Sequence, residues 1–288
     1  MRNGKEIEKL IDRALREDIG PGDITSQAVV DRDLKGTATI LAKEKGILAG
    51  LKIARKIFKK VDPSLKFNPF KRDGDRIKPQ DKIVSITGNI RSILKAERTA
   101  LNFLQQLSGV ATYTSTFVNK VKGSSVKILD TRKTVPGLRA LQKYAVKLGG
   151  GQNHRMGLYD MILIKENHIK AAGGVTEVIK KAMSFSKKKS KTGKLKIEVE
   201  TKTFKEVEKA AQMGVDVIML DNISLPQIRK AVWIIRSIDE NIKIEVSGNI
   251  DLNLVRQIAK TGIDFISVGA LTHSAKALDF SLKVVALK

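Results

Sequence analysis

The sequence predicts an α/β protein, with a mixed region of helices and strands ahead of a longer region organised on a parallel sheet. Three observations lead there. From residue 126 onward, short apolar runs alternate with amphipathic stretches of helical length, the pattern of strands joined by crossover helices. Over the first ~110 residues, strand-like and helix-like segments mix without that alternation. The composition is that of an ordinary globular chain, with 42% hydrophobic and 29% charged residues among 288. At about 150 residues per domain, this length suggests two domains and enough chain for a real core.

Taken in order, residues 5–16 place Ile7, Leu10, Ile11 and Leu15 on one helical face. Residues 17–23 (EDIGPGD) form a turn punctuated by glycine and proline. Residues 36–42 (GTATILA) read as a strand, 51–61 as a helix, and 82–87 as a second strand after a hairpin-like turn at Gly74-Asp75. Residues 92–107 form a helix with Leu94, Leu101, Leu104 and Leu107 on its apolar side. The later apolar runs are 126–129, 161–164, 195–199, 215–220, 242–246 and 265–268. Helical stretches at 175–185, 204–213, 225–238 and 252–260 lie between them. Such a series fits a barrel or an open wound sheet.

Several classes are excluded. No apolar run approaches the ~18 residues of a membrane-spanning helix. The opening MRNGKEIEKLIDRALRED is charged throughout and has no apolar core of a signal peptide, so a cytoplasmic protein is expected. With no cysteine, disulfide scaffolds, thiolate metal sites and cysteine nucleophiles drop out. The net charge of +24 favours anionic partners, either nucleic acid or phosphorylated and carboxylated small molecules. The densest basic run, 186–196 (SKKKSKTGKLK), contains no aromatic residue for base stacking and reads as a solvated loop.

Polar residues follow each apolar run: Asp130-Thr131-Arg132-Lys133, Lys165-Glu166-Asn167-His168, Glu198 and Glu200, Asp221-Asn222, Ser247-Gly248-Asn249, and Gly269-Ala270. In a β/α barrel the C-terminal strand ends converge on one face, where the chemistry sits. This face would carry cations (Arg132, Lys133, Lys165, with Arg155 upstream) and acids (Glu200, Asp221). Its last two loops contain glycine, which lets backbone N–H groups approach a phosphate closely. The set asks for a substrate bearing carboxylates and phosphates, with the acids taking sugar hydroxyls or magnesium. The histidines are His154, His168 and His273, with no HExxH spacing, and neither Walker A, GxGxxG nor GxSxG is present.

Longer motifs then stand out. They are EDIGPGDITS at 17–26, AERTALNFLQQLSGVAT at 96–112, DTRKTVPGLR at 130–139, GGGQNHRMGLYDMILIKENH at 149–168, IEVE at 197–200, IMLDN at 218–222, EVSGNI at 245–250 and GALTHS at 269–274. In this order they resemble the quinolinate phosphoribosyltransferase family over nearly the whole chain. Two small departures are Glu166, where the family often has Asp, and Asn249, where it often has Gly.

The resemblance implies an N-terminal α/β sandwich-like domain (residues 1–110, with the tail 275–288 packing back on it) and an incomplete seven-stranded α/β barrel (111–274). It implies transfer of phosphoribosyl from phosphoribosyl pyrophosphate to quinolinate with decarboxylation. The products are nicotinate mononucleotide, pyrophosphate and carbon dioxide, and magnesium is the cofactor. It implies a homo-oligomer, dimer or hexamer, in which Arg98 acts across the interface. Arg98, Arg132 and Arg155 would clamp the two carboxylates of quinolinate, since arginine binds carboxylate bidentately, and Lys133, His154 and Lys165 would complete that pocket. Glu200 and Asp221 would stabilise the ribosyl cation and hold hydroxyls or magnesium, directly or through water. Ser247, Gly248, Asn249, Gly269 and Ala270 would cradle the phosphate, and His273 would touch the diphosphate. Lys133 or solvent would protonate the ring after decarboxylation.

Glu198 is expected on the far face of its strand, outside the site, and His168 is expected to be structural. Two alternatives stand beside this reading. One is a paralogue acting on another heterocyclic acid. The other is a nucleic-acid-binding protein on the same fold, which the acids in the basic groove disfavour.

Overall fold

The computed structural model describes residues 4–188 and 195–287. In chain order, the first elements are α1 (Gly4–Ile19), α2 (Ile24–Val29), β1 (Lys35–Ala42), β2 (Gly46–Ile47), α3 (Leu51–Val61), β3 (Lys66–Pro69), β4 (Arg76–Ile77), β5 (Lys82–Asn89) and α4 (Ile90–Lys120). There follow β6 (Lys127–Leu129), α5 (Arg139–Leu148), β7 (Ile162–Ile164), α6 (Glu166–Ala172), α7 (Val175–Lys188), β8 (Ile197–Thr201) and α8 (Phe204–Gln212). The last are β9 (Val217–Asp221), α9 (Leu225–Ile238), β10 (Lys243–Ser247), α10 (Val255–Ile258), β11 (Phe265–Ser267), α11 (Ala270–His273) and β12 (Phe280–Leu287).

Two compact units result: Met1–Ser115 with Val135–Gly150 and Leu271–Lys288, and Thr116–Thr134 with Gly151–Ala270. Relative to the boundary expected at residue 110, the segment 135–150 lies with the first unit. Its helix α5 is anchored there by buried polar contacts. Gln142 is fully buried, accepts from the Val135 N–H at 2.9 Å and donates to the Thr272 carbonyl at 2.8 Å. The Tyr144 hydroxyl donates to Asp73 at 2.9 Å.

The first unit is built on an antiparallel sheet ordered β12-β1-β5-β3. Ala38, Ile40 and Ala42 of β1 are fully buried at alternate positions, which gives the sheet one dry face. Helix α3 adds Ala54, Ile57 and Phe58 to the core, and the Phe58 and Phe67 rings lie 6.0 Å apart. The chain's last strand pairs with β1 from Gly36↔Leu287 to Ala42↔Phe280. On its way there the tail crosses α4 at backbone contact: the Leu278 N–H donates to the Gln105 carbonyl at 2.9 Å. A Cβ on Gly109 would lie 2.1 Å from the Lys276 carbonyl oxygen, so only glycine fits at this crossing.

The second unit carries a six-stranded parallel sheet ordered β6-β11-β10-β9-β8-β7. Gln152 adds a one-residue parallel bridge beside β6 at Leu129, and β6 and β7 form the two ends of the sheet, so the barrel is not closed. β8 is buried along its whole length, as parallel strands covered on both faces are. Capping boxes start the next helices sharply: Thr203 with Glu206 opens α8, and Ser224 with Gln227 opens α9. Because the strands are parallel, their C-terminal ends lie at one end of the sheet.

Most elements match the sequence reading to within a few residues. The helix expected at 92–107 runs on to Lys120, and that expected at 252–260 shrinks to α10. In the basic run 186–196, residues 189–194 lie outside the described residues, while Ser186 is buried and donates to the Leu195 carbonyl at 3.0 Å. Among the described residues no helix is long and apolar enough to cross a membrane.

Candidate active site

The parallel sheet gathers most of the predicted residues at its C-terminal end. Asp130 follows β6, is fully buried, and accepts the His154 backbone N–H at 2.9 Å. That bond docks the 151–157 segment against the turn holding Arg132 and Lys133. The Lys133 N–H donates to the Thr131 hydroxyl at 3.0 Å, which fixes the same turn, and the Arg132 and Lys133 side chains are exposed.

Arg155 is half-buried, and its guanidinium donates to the Met161 carbonyl at 3.1 Å. Burial, and then the charge of nearby Arg132, lower its pKa from the ordinary guanidinium value. The charges of Glu198 and Asp160 pull the other way and favour the charged guanidinium.

Lys165 caps α6 immediately after β7 and pairs with Glu200 near the end of β8. The Glu200 carboxylate is largely buried, whereas Lys165 is half-exposed. Asp221 ends β9 and accepts from the Asn222 side-chain amide at 2.9 Å. Asn222 in turn accepts from the Asn249 side chain at 3.1 Å, and its backbone N–H donates to the Ser247 carbonyl at 3.0 Å. The loops after β9 and β10 are therefore stitched together. Asn222 and Asn249 adopt φ of 54° and 46°, and Gly248 has φ 95°. Asparagine tolerates this left-handed region, so Asn222 and Asn249 can hold these turns without glycine. A Cβ on Gly248 would lie 2.2 Å from the Asn222 amide oxygen. Gly269 and Ala270 follow β11, where the Val268 N–H donates to the Leu129 carbonyl at 2.9 Å.

Arg98 and His273 belong to the first unit. Arg98 is exposed on α4, and His273 is exposed with its Nδ1 2.6 Å from the Ser274 hydroxyl. His168 accepts the Lys165 N–H at 2.9 Å and so helps cap α6.

Glu198 corrects the sequence reading. It was expected on the far side of β8, yet it lies two residues from Glu200, and a strand's period of two puts both on one face. In the structure its Oε2 is 3.1 Å from His154 Nε2. Glu245 of β10 is 3.6 Å from the same nitrogen and accepts from the Ser267 hydroxyl. Both acids are buried. Burial and the charge of Glu198 raise the Glu245 carboxyl above the ordinary range, against the opposing pull of His154 and Ser267. His154 also departs from a simple pocket-lining role, since its Nδ1 accepts the Arg155 backbone N–H at 2.7 Å.

Lys202 is a further residue that the sequence reading passed over. It pairs with Glu166, which also binds Lys170 at 2.6 Å. The two lysines hold Glu166 at about 2. Glu166 foremost, with Glu200 and Asp221, raises the pKa of Lys202, so Lys202 shares the field of the two site acids. The signal was the same period of two, 198–200–202, continued past the end of the apolar run.

Known proteins resemble this chain over nearly its full length. The domain family described as quinolinate phosphoribosyl transferase, N-terminal domain, matches residues 23–108, and its C-terminal counterpart matches 110–283. The nicotinate-nucleotide pyrophosphorylase [carboxylating], chloroplastic, of Arabidopsis thaliana is 42% identical over 295 residues, covering 97% of this chain and 83% of that protein. Quinolinate phosphoribosyltransferase [decarboxylating] 2b, mitochondrial, of Nicotiana tabacum is 44% identical, with 97% and 82% coverage. The crystal structure of NadC from Streptococcus pyogenes superposes with a TM-score of 0.91 at 41% identity, covering 98% of this chain and 97% of that one.

Proposed function

The chain belongs to the quinolinate phosphoribosyltransferase family, and on that premise we propose how its residues divide the reaction. The reaction itself is transfer of the phosphoribosyl group from phosphoribosyl pyrophosphate to quinolinate with decarboxylation, a step of NAD biosynthesis. The observation that carries the site assignment is that Arg132, Arg155, Lys165, Glu200 and Asp221 gather at one end of a parallel sheet, with Lys165 paired to Glu200 and the Asp130–His154 bond holding the Arg155 segment to the Arg132 turn. Two like charges, one of them half-buried, are tolerated where a dianion fills the space between them.

In our reading Arg132 and Arg155 each hold a carboxylate of quinolinate, with Lys133 and Lys165 completing the positive pocket. Arg98 is the third guanidinium, supplied by a second copy of the chain in a dimer or hexamer. Its exposed place on α4 suits a role outward from its own subunit. The ring nitrogen attacks the anomeric carbon as the bond to pyrophosphate breaks. Positive charge spreads over the ribose, and Glu200 and Asp221 stabilise it.

The same two carboxylates offer hard oxygen donors, which suits magnesium. Bound there, the ion would offset the charge of the departing pyrophosphate. The stitched loops at Ser247, Gly248 and Asn249, with Gly269 and Ala270, present backbone N–H groups to the 5′-phosphate, and His273 serves the diphosphate. Once the ring nitrogen carries ribose, the pyridinium accepts the electron pair left as the adjacent carboxylate departs as carbon dioxide. A proton then returns to that carbon, with Lys133 as the protein's own donor.

The test is a coupled assay with quinolinate, phosphoribosyl pyrophosphate and magnesium that scores nicotinate mononucleotide and pyrophosphate. Nicotinate serves as the parallel substrate. Product from quinolinate alone, lost with chelator and restored by magnesium, supports the reading. Equal turnover of nicotinate would overturn the two-carboxylate pocket.

A further inference from the structure

The buried cluster beneath the candidate site has no place in the scheme above. His154, Glu198 and Glu245 bring a ring nitrogen and two carboxylate oxygens within 4.8 Å of one another. Glu198 is 1% exposed, and its second oxygen, Oε1, is buried without a hydrogen-bond partner. Burying a carboxylate and leaving half of it unsatisfied costs stability, and an apolar residue of similar size would avoid that cost. A position that retains the acid needs a reason.

The connections out of the cluster supply one. The Ser267 hydroxyl donates to Glu245, and His154 Nε2 faces Glu198 at 3.1 Å. On the ring's other side, Nδ1 accepts the Arg155 N–H at 2.7 Å, and the His154 N–H donates to Asp130 at 2.9 Å. An imidazole that accepts at Nδ1 carries its proton at Nε2, facing the acids. Both ring nitrogens then point at protein groups. The negative charge of Glu198 also reaches Arg155, where it favours the charged guanidinium against burial.

Resting on the family reaction above, we propose that Glu198 and Glu245 are positioning residues. They fix the tautomer and orientation of His154, and through it they aim Arg155 at the Arg132 pair that receives the substrate's carboxylates. His154 thus acts from behind the pocket. The logic is that of outer-shell carboxylates on metal-bound histidines, here applied to an arginine clamp.

The chain has only three histidines, so full-length protein labelled with ¹⁵N-histidine gives three resolvable rings, assigned by His168→Gln and His273→Gln. The expected spectrum has His154 protonated at Nε2 and bare at Nδ1. In steady-state assays, Glu198→Leu is expected to raise KM for quinolinate about 10- to 100-fold, the range seen when outer-shell partners are removed. KM for phosphoribosyl pyrophosphate should stay within about twofold of wild type, even where the melting temperature falls because the His154 Nε2–H loses its acceptor. Glu198→Gln, which keeps an acceptor, should recover most of the loss. A purely structural role would instead give loss of melting temperature without the split between the two KM values.

A wild-type His154 protonated at Nδ1 would overturn the proposal, as would a metal ion copurifying with the protein and lost on Glu198→Gln. Unchanged quinolinate KM in Glu198→Leu would do the same. Where Glu198→Leu fails to fold, Glu245→Gln and the wild-type spectrum keep the question decidable. Wild-type protein inactive on quinolinate would count against the family reaction itself, while the histidine spectrum would still report on the cluster.

Discussion

Replacing Arg155 by methionine separates what the site does for binding from what it does for stability. Among the described residues the guanidinium makes one hydrogen bond, to the Met161 carbonyl, and losing it should cost about 1 kcal/mol. Against that, methionine removes a charge disfavoured by burial and by Arg132, an effect that Glu198 and Asp160 offset in part. Arg132 is exposed and solvent screens the pair, so the relief is about 0.5–1 kcal/mol. The two nearly cancel, and the melting temperature should move by no more than about 2–4 °C. Binding has no such cancellation. A charge-assisted hydrogen bond to a carboxylate is worth about 2–3 kcal/mol, and losing it should lower kcat/KM for quinolinate about 30- to 160-fold. Calorimetric melting and steady-state kinetics on the same preparation read both. A variant that melts 10 °C lower with quinolinate KM unchanged would refute the reasoning and make Arg155 a structural residue.

Three other outcomes follow from the same geometry. Gly248→Ala should place a Cβ 2.2 Å from the Asn222 amide and force a non-glycine residue to φ 95°, costing about 1–3 kcal/mol and raising KM for phosphoribosyl pyrophosphate; kinetics at wild-type values would remove this loop from the phosphate site. Arg98→Ala and Arg132→Ala chains, each inactive alone, should regain activity when mixed into heterodimers, and verified heterodimers without activity would place Arg98 in its own subunit's chemistry.

Asp264 lies ahead of β11, at the opposite end of the sheet from the site, where residues serve stability. Burial raises its pKa, but bonds from the Ile244 N–H at 2.9 Å, Arg236 at 2.8 Å and Lys243 at 3.2 Å more than offset this and leave it lowered. A lowered carboxyl stabilises the fold above its unfolded pKa of about 3.9, and that contribution is lost as pH falls through the folded value. Asp264→Asn should therefore destabilise by about 1–3 kcal/mol at pH 7 with both KM values unchanged, and denaturant melts should show the gap from wild type narrowing below pH 4.

Much of this was legible in the chain because it is written in local periods. The alternation of apolar runs and helical stretches after residue 126 is a statement about burial, and the sheet follows from it. The polar residues that end each run had to share one end of a parallel sheet, so Arg132, Lys165, Glu200 and Asp221 group together on the sequence pattern alone. The motifs then fixed the family over nearly the full length. Less legible was whatever depends on contacts between segments far apart in the chain. The eight residues of β12 carry too weak an alternation to announce a strand, and they become one by pairing with β1. Helix α6 is too short to show a period, and it forms where Lys165 and His168 close its first turn.

The sequence alone determined the sheet, the charge and the chemical class, because hydrophobic period and residue type are properties of neighbours in the chain. Only the tertiary structure decided which charges meet. It turned Glu198 toward His154, paired Glu200 with Lys165, and drew Lys202 to Glu166. The energy of a charge is set by distance and burial, and neither is a property of one segment.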